Sequence, residues 1–185
     1  MGKQDQYAAA YGGINYIRFN EDESVVIRPI NMNSKNLKLL SKSALLFWTG
    51  ISRPSESVLA EQDKNNKYNE DILGSMKDQA LELSEVFLRP SFSITELGSI
   101  MDKGWENKKK LSSNISNKKI NDCYSTSKSL GALGGKISGA GGGGFLLIIA
   151  DKNRHKGIIQ SMRSFGLMRY RFGLDSLGSV VYEIN

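Results

Sequence analysis

Residues 135–150 read Gly-Lys-Ile-Ser-Gly-Ala-Gly-Gly-Gly-Gly-Phe-Leu-Leu-Ile-Ile-Ala. Five of the six positions in the segment 139–144 are glycine, and a glycine loses more backbone entropy on folding than any other residue. Such a segment indicates that its backbone must come very close to another group, either a phosphate or another loop. A simple turn between two strands is the alternative, although a hairpin turn needs only one or two glycines.

The residues that follow the glycines separate the possible fold classes. Residues 145–150 are continuously apolar, which is typical of a buried strand. The glycine segment matches G-x-G-x-x-G, but the dinucleotide-binding motif requires a helix at this place. The pattern G-x-x-x-x-G-K-[ST] is absent from the sequence. The sequence therefore argues against a nicotinamide or flavin site and against a P-loop NTPase.

The first half of the chain predicts a hairpin followed by a largely helical region. A short helix over 4–11 precedes strands over 14–19 and 24–30, which are joined by a turn. A short helix over 33–41 and a buried strand over 43–48 come next. Two long helices separated by Pro90 then follow, because apolar residues recur at helical spacing in two sets, namely Met76, Ala80, Leu83, Phe87 and Ile94, Leu97, Met101, Trp105.

The second half predicts a third helix over 117–130, a strand entering the glycine segment, the strand 145–150 and a helix over 153–165. Closing strands are predicted over 167–172 and 179–184. This order favours an α+β fold in which helices cover an antiparallel sheet. A ferredoxin-like split arrangement is the common fold that fits best.

Composition limits the chemistry that the chain supports. The 185 residues are 39% hydrophobic and 24% charged, which is typical of a globular protein. Cys123 is the single cysteine and His155 the single histidine. This argues against a disulfide, a thiolate metal cluster, a zinc site with two histidines and Ser-His catalysis. With no signal peptide and no apolar run of ~20 residues, we expect a cytoplasmic protein without membrane contact.

The net charge is +6, and its one visible cluster is Lys103, Lys108, Lys109, Lys110, Lys118 and Lys119. Such a run predicts a solvated helical face. Nucleic-acid binding would require aromatic residues between the lysines or a known motif, and only Trp105 lies there, so we expect no nucleic-acid partner. The charge is compatible with a weak attraction for anionic small molecules such as phosphates.

Several segments together resemble one superfamily. Residues 2–13, Gly-Lys-Gln-Asp-Gln-Tyr-Ala-Ala-Ala-Tyr-Gly-Gly, resemble the catalytic-aspartate segment of the GHMP sugar and mevalonate kinases. Residues 136–144 resemble the third motif of that superfamily. Within it, the segments Thr-Gly-Ile-Ser-Arg (49–53), Gly-Trp-Glu-Asn-Lys-Lys-Lys (104–110) and Gly-Gly-Lys (134–136) are similar to the D-glycero-D-manno-heptose 7-phosphate kinases.

The resemblance implies a two-domain kinase that transfers the γ-phosphoryl group of ATP to the anomeric hydroxyl of heptose 7-phosphate. Residues 33–185 would form the ferredoxin-like C-terminal domain, and residues 1–32 would be a remnant of the N-terminal domain. The phosphate loop of the family, Pro-x-x-x-Gly-Leu-Gly-Ser-Ser-Ser/Ala, is absent from the sequence. We therefore expect the C-terminal part of a kinase, through truncation, a split gene or a mis-set start codon. ATP and Mg²⁺ would bind mainly through the absent loop.

The resemblance also implies roles for individual residues. Asp5 would be the catalytic carboxylate, and its place before a run of helix formers favours the ionised form at a helix N-terminus. Lys3, Gln4 and Gln6 would contact sugar hydroxyls or the phosphates. Arg53 would bind the 7-phosphate of the sugar, and Lys136 would offset phosphate charge. The ATP phosphates would be approached by Ser138, Gly139, Ala140, Gly141, Gly142, Gly143 and Gly144. For Trp105 we expect core packing, and for Lys109 a solvated position, rather than ligand contacts.

Three other functions remain open from the sequence. The first is a related kinase for fucose or galactose, and the second is a non-catalytic ligand-binding or interaction module. The third is an RNA-binding ferredoxin-like module, although the chain lacks the aromatic-rich strand motif of such modules. Unpaired strand edges invite association, so we expect a homodimer or a complex with an N-terminal kinase half.

Overall fold

The computed structural model describes residues 3–52, 58, 60–62 and 69–183. No helix in those ranges is both long and apolar enough to cross a membrane. The elements, in chain order, are α1 (Lys3–Tyr11), β1 (Asn15–Phe19), β2 (Val25–Pro29), α2 (Ser34–Ser43), β3 (Ala44–Trp48), α3 (Glu70–Leu88), α4 (Ile94–Lys110), α5 (Lys118–Ser129), β4 (Ala132–Ile137), β5 (Phe145–Ala150), α6 (His155–Ser164) and β6 (Met168–Tyr170). Short 3₁₀ turns span Ser113–Ile115 and Lys152–Arg154.

The strands form two antiparallel sheets. β1 and β2 make a hairpin in which Ile17 lies opposite Ile27. The other four strands form one sheet in the order β4-β5-β3-β6, with every neighbouring pair antiparallel. The two central strands are β3 and β5, which are the first and third of these four strands along the chain. Helices connect the strands as in a split βαβ arrangement. The predicted α+β, ferredoxin-like class is confirmed.

Polar caps explain where several helices begin. The side chain of Asn33 accepts a hydrogen bond from the Asn36 N–H at the start of α2. Ser93 caps α4 in the same way, and the Asn117 side chain accepts from the Ile120 N–H at the start of α5. Each of these side chains satisfies one N–H that has no partner within the helix. The helix starts therefore follow from the local sequence.

Two clusters of buried side chains hold the elements together. The larger lies between the four-stranded sheet and helices α4, α5 and α6, and it includes Phe47, Trp105 and Ile148. The smaller joins α3 and α4 to residues near the hairpin, including Ile30, which is buried, and Tyr16, which is partly buried. The hairpin thus packs on the same core as the long helices. The division of the chain at residue 32 stays a prediction.

A close contact between backbones joins α4 to β4. A Cβ atom added to Gly134 would lie 1.9 Å from the carbonyl oxygen of Gly98, and one added to Gly98 would lie 2.3 Å from the Cβ of Leu133. Real Cβ atoms do not approach other atoms so closely, because such contacts are strongly repulsive. The two glycines therefore let the strand lie directly on the helix, and this seam fixes the side chains that both elements carry.

The end of the chain differs from the prediction. The first closing strand is shortened to β6, and the strand predicted over 179–184 is wrong for residues 179–183, which form no strand. Their backbone instead meets the end of α1. The Ser179 N–H donates to the Ala10 carbonyl oxygen at 3.0 Å, and a Cβ on Gly12 would lie 2.3 Å from the nitrogen of Gly178. The Ser179 N–H, which would bond to a neighbouring strand in a sheet, therefore caps the end of α1 instead.

Candidate functional site

Helix α1 carries Asp5 in its first turn, as the sequence predicts. None of the residues in this helix is buried, and Asp5 is exposed. The helix is held on β1 by the ring of Tyr7, which packs edge to face on Phe19 with centroids 5.5 Å apart. Its other end is fixed by the Gly13 N–H, which donates to the Asp175 carbonyl oxygen. Asp5 is therefore a solvent-accessible carboxylate on an anchored helix start.

The glycine segment connects β4 to β5 and is bound to two other segments. The Gly142 N–H donates to the carbonyl oxygen of Ile115 at 2.7 Å, and the Gly144 N–H donates to that of Ile51 at 2.8 Å. The hydroxyl of Thr49 donates to the Gly144 carbonyl oxygen at 2.8 Å. The loop is thus held from both sides, by the segment that follows β3 and by the 3₁₀ turn before α5.

The glycines are required by these backbone contacts. A Cβ on Gly143 would lie 2.5 Å from the Ile51 carbonyl oxygen, and one on Gly141 would lie 2.9 Å from that of Ile115. Gly141 also has φ +111°, in a region that L-residues with side chains rarely adopt. The expectation that the segment closely approaches another loop is confirmed, and a simple hairpin turn does not account for it.

The same loop leaves backbone donors available. The N–H groups of Gly139, Ala140, Gly141 and Gly143 have no hydrogen-bond partner within the described ranges. Gly139 and Gly141 have positive φ and flank Ala140, which does not. Alternating backbone signs of this kind turn successive N–H groups into a concave anion-binding surface. The loop thus has the backbone geometry to hold a phosphate group.

Helix α4 and strand β4 bring two lysines to this loop. The ammonium of Lys108 donates a hydrogen bond to the carbonyl oxygen of Gly139. Burial and, secondarily, the positive charge of Lys136 lower the pKa of Lys108 to about 8, against the opposing effect of the Asp5 carboxylate. Burial also lowers the pKa of Lys136. The structure therefore groups Asp5, Lys108, Lys136 and Gly139.

A cavity of about 240 Å³ lies beside this group, between α3, α4 and β4. Lys108 and Lys136 line it together with Trp105 and Gln79. The Nε1 of Trp105 and the Oε1 of Gln79 are buried and have no hydrogen-bond partner within the described ranges. Since buried polar atoms are nearly always hydrogen-bonded, a polar ligand or water must satisfy these two.

Of the other predicted site residues, four are neighbours of Asp5 or Gly139 along the chain and one lies outside the described residues. Lys3, Gln4 and Gln6 are exposed on α1, and their contacts with a sugar stay predictions. Ser138 is also exposed, and its N–H donates to the Phe145 carbonyl oxygen. Arg53 lies outside the described residues.

The lysine cluster is only partly the solvated face that the sequence predicts. Lys103, Lys110 and Lys118 are exposed, but Lys108, Lys109 and Lys119 are partly buried. Lys109 pairs with Glu106 at 2.8 Å and lies 5.9 Å from the ring centre of Trp105. Trp105 is fully buried, as predicted. Sequence reasoning missed Lys108 as a site residue, although it follows Trp105 by three positions and so continues the buried stripe of α4.

The described residues do not form a metal site by themselves. They contain no group of three or more His, Cys, Asp or Glu side chains arranged to hold an ion. Magnesium normally takes oxygen ligands from one or two carboxylates, substrate phosphates and water. We therefore assign no magnesium ligand within this part of the chain.

Known proteins are similar to this chain in sequence. Residues 85–166 match the sequence profile of the family "GHMP kinases C terminal". The chain is 30% identical over 166 residues to the D-glycero-alpha-D-manno-heptose 7-phosphate kinase of Campylobacter jejuni, covering 88% of this chain and 48% of that protein. It is also 30% identical over 155 residues to the L-fucokinase/L-fucose-1-P guanylyltransferase of Bacteroides fragilis, covering 80% and 16%. The chain thus spans about half of one relative and about a sixth of the other.

Solved structures share the architecture. A D-glycero-D-manno-heptose 1-phosphate kinase from Bacteroides thetaiotaomicron superposes with a TM-score of 0.70 at 24% identity, covering 99% of this chain and 50% of that one. A sugar kinase from Campylobacter jejuni, described as putative, gives 0.66 at 26% identity over 96% and 50%. The mevalonate kinase of L. major gives 0.68 at 20% identity over 96% and 53%. Sequence profile and fold agree, and the chain carries a GHMP kinase C-terminal domain.

Proposed function

We propose that this chain is the C-terminal part of an ATP-dependent sugar kinase that phosphorylates the anomeric hydroxyl of D-glycero-D-manno-heptose 7-phosphate. The observation that carries the proposal is the grouping of an exposed carboxylate, Asp5, with two partly buried lysines and a loop that has free N–H donors. Phosphoryl transfer depends on positioning and on charge stabilisation. The similarity to the Campylobacter jejuni heptose kinase supports the choice of sugar.

The proposed mechanism assigns a role in phosphoryl transfer to the glycine loop, to Lys108 and to Asp5. ATP, when bound, supplies the γ-phosphoryl group. The free N–H groups of Gly139, Ala140 and Gly141 hold phosphate oxygens, and the ammonium of Lys108 offsets the charge that develops there. Asp5 accepts the proton of the sugar hydroxyl while the new O–P bond forms and the bond to the ADP oxygen breaks. The products are the heptose 1,7-bisphosphate and ADP.

A second sugar is supported by a separate observation. The chain has the same 30% identity to the L-fucokinase of Bacteroides fragilis, over 155 residues. A fucose kinase would use the same carboxylate and the same glycine loop, but its acceptor carries no phosphate. The two candidates therefore differ in whether the site must bind an anion in addition to the nucleotide.

We further propose that the active unit includes a partner that provides the phosphate loop missing from these 185 residues. Strands β1 and β2 pair only with each other within the described ranges, and unpaired edges invite strand addition. A homodimer would use the same edges. Light scattering of the chain alone across micromolar concentrations tests the homodimer, which a monodisperse monomer would contradict, and the same measurement with the N-terminal half of a kinase added tests the complex. We expect the complex in the cytoplasm.

The test is a chimera in which this chain replaces the corresponding half of the Campylobacter jejuni kinase. We expect turnover of heptose 7-phosphate with ATP, and a loss of about 10²–10⁴-fold in kcat for Asp5→Asn. Glu82→Gln is the matched control, because Glu82 is an exposed carboxylate on α3 that is not among the residues lining the cavity. A folded chimera without turnover, or Asp5→Asn with the activity of Glu82→Gln, would refute the proposal.

A further inference from the structure

Two cations and two unpartnered polar atoms line one cavity. Lys108 reaches it from α4 and Lys136 from β4, while Trp105 and Gln79 contribute a buried indole N–H and a buried amide oxygen. Within the described ranges, Lys136 has no carboxylate or carbonyl partner. Among the described residues, Lys108 contacts the Gly139 carbonyl oxygen and has the Asp5 carboxylate as a nearby negative charge.

Such a set of groups calls for a ligand of a particular chemistry. Two lysines that share a poorly solvated site repel each other, and a bound dianion removes that repulsion. The indole N–H needs an acceptor, and the amide oxygen needs a donor. A phosphate supplies the acceptor oxygens and a sugar hydroxyl supplies the donor. The cavity volume of about 240 Å³ far exceeds the ~30 Å³ of one water molecule.

We propose that this cavity binds the phosphate that the acceptor sugar already carries, with Lys136 and Lys108 as its cationic ligands. The inference deepens the proposed function and rests on it. Gln79 accepts a hydrogen bond from a sugar hydroxyl, and Trp105 donates one to a ligand oxygen. The acceptor class is therefore a sugar monophosphate rather than a free sugar. Lys108 links this subsite to the glycine loop, because its ammonium also contacts Gly139.

The alternative source of a phosphate is the nucleotide. The glycine loop has its own free N–H donors for that anion, at Gly139, Ala140 and Gly141. The cavity instead combines its cations with a hydroxyl-binding amide and an apolar wall of α3 and α4 that includes Met76 and Leu83. A hydroxylated carbon chain that ends in a phosphate matches this mixed lining better than a triphosphate does.

The experiment is calorimetric binding to the 185-residue chain without turnover. The ligands are D-glycero-D-manno-heptose 7-phosphate, the unphosphorylated heptose, inorganic phosphate and ATP. A hydrogen bond to a charged group contributes about 1.5–3 kcal/mol, so we expect Lys136→Met to weaken heptose 7-phosphate binding by about 10- to 100-fold. Binding of unphosphorylated heptose should stay unchanged. Lys103→Met, an exposed lysine of the same helix α4, should leave every affinity unchanged.

A second variant keeps the proposal testable if Lys136→Met does not fold. Gln79→Leu keeps a similar volume and removes the amide, so it should weaken heptose and heptose 7-phosphate by the same factor. The proposal is overturned if the wild-type chain does not bind heptose 7-phosphate, or if Lys136→Met weakens ATP but not heptose 7-phosphate. Because binding is measured without catalysis, failure of the chimera to turn over leaves this result interpretable.

Discussion

Helix α4 contributes to two lysine sites, and their difference separates a structural charge from a ligand-binding one. In the first, Asp102 of α4 accepts from the hydroxyl of Tyr124 at 2.5 Å and pairs with Lys128 at 3.0 Å. Lys128 also donates to the carbonyl oxygen of Leu133. In the second, Lys108 of α4 meets Lys136 with one carbonyl contact and no close ion pair within the described ranges.

The first site is complete by itself. Burial and the adjacent Asp102 carboxylate raise the pKa of Tyr124, so the phenol stays a hydrogen-bond donor. Every charged atom there has a protein partner, and the arrangement ties α4, α5 and the start of β4 together. In the second site, neither lysine forms an ion pair within the described residues, and the Asp5 carboxylate acts on Lys108 only as a nearby charge. The comparison indicates that a missing counter-charge, rather than the presence of lysines, marks the place where a ligand binds.

The largest expected effect comes from breaking the seam on which both sites depend. In Gly134→Ala, the new methyl group would lie 1.9 Å from the Gly98 carbonyl oxygen, so strand and helix must separate. We expect a loss of about 3 kcal/mol or more in the free energy of unfolding, measured by urea denaturation, and loss of heptose 7-phosphate binding.

Gly74→Ala is the control. Its methyl group meets no atom within 4 Å on helix α3, so stability should rise by up to about 1 kcal/mol. Equal effects of the two changes would contradict the seam.

Substitutions in the two lysine sites should change the free energy of unfolding differently, by less than Gly134→Ala does. Asp102→Ala leaves the buried Tyr124 hydroxyl and Lys128 without their shared carboxylate, so we expect a loss of about 1–3 kcal/mol in the free energy of unfolding and unchanged affinity for heptose 7-phosphate. Lys108→Met removes one of two repelling cations, so we expect unchanged or higher stability and weaker binding. Urea denaturation measures the stability of both variants, and calorimetry measures their affinity for heptose 7-phosphate. A large loss of stability in Lys108→Met would make that lysine structural.

The fold was largely predictable because its signals are local. The apolar stripes of α3 and α4, the polar caps at Asn33, Ser93 and Asn117, and the continuous apolar run of β5 each depend on a few neighbouring residues. The tail was not predictable in this way. Residues 179–183 contain the β-branched and aromatic residues that are typical of a strand, but the Ser179 N–H donates to the Ala10 carbonyl oxygen instead. That contact joins residues far apart in the sequence, which local patterns do not report.

The site was predictable only where a family motif covered it. Asp5 and the glycine loop were expected from their resemblance to kinase segments, whereas Lys108 was assigned to a solvated run of lysines. Its position three residues after Trp105 places it on the buried stripe, so helical spacing alone offered a signal. The pairing of Lys108 with Lys136 was beyond reach, because it depends on how closely Gly98 and Gly134 bring α4 to β4.

The smallest effect, and the sharpest test of the comparison, is the pH dependence of binding. The pKa of Lys108 is about 8 in the free chain, and a phosphate monoester is a dianion above its second pKa of about 6. Affinity for heptose 7-phosphate should therefore fall by up to about tenfold from pH 7 to pH 9, as Lys108 loses its proton. The other ionisable groups near Lys108 are Lys136, whose charge lowers the pKa of Lys108, and Asp5, whose charge opposes that effect.

The free energy of unfolding should rise with pH, whereas the affinity falls, over a pH range that partly overlaps this one. The ordinary pKa of lysine is 10.5, so between about pH 8 and 10.5 the unfolded chain binds more protons at Lys108 than the folded chain does. The contribution of Lys108 to the free energy of unfolding therefore rises with pH in this window. Lys108→Arg should remove the contribution of Lys108 to both trends, because a guanidinium stays charged throughout, while Lys136, whose pKa burial also lowers, keeps its own. Calorimetry from pH 7 to 9 on the wild type and this variant measures the pH dependence of the affinity for heptose 7-phosphate. A wild-type affinity that does not change with pH would exclude Lys108 as a ligand of the phosphate.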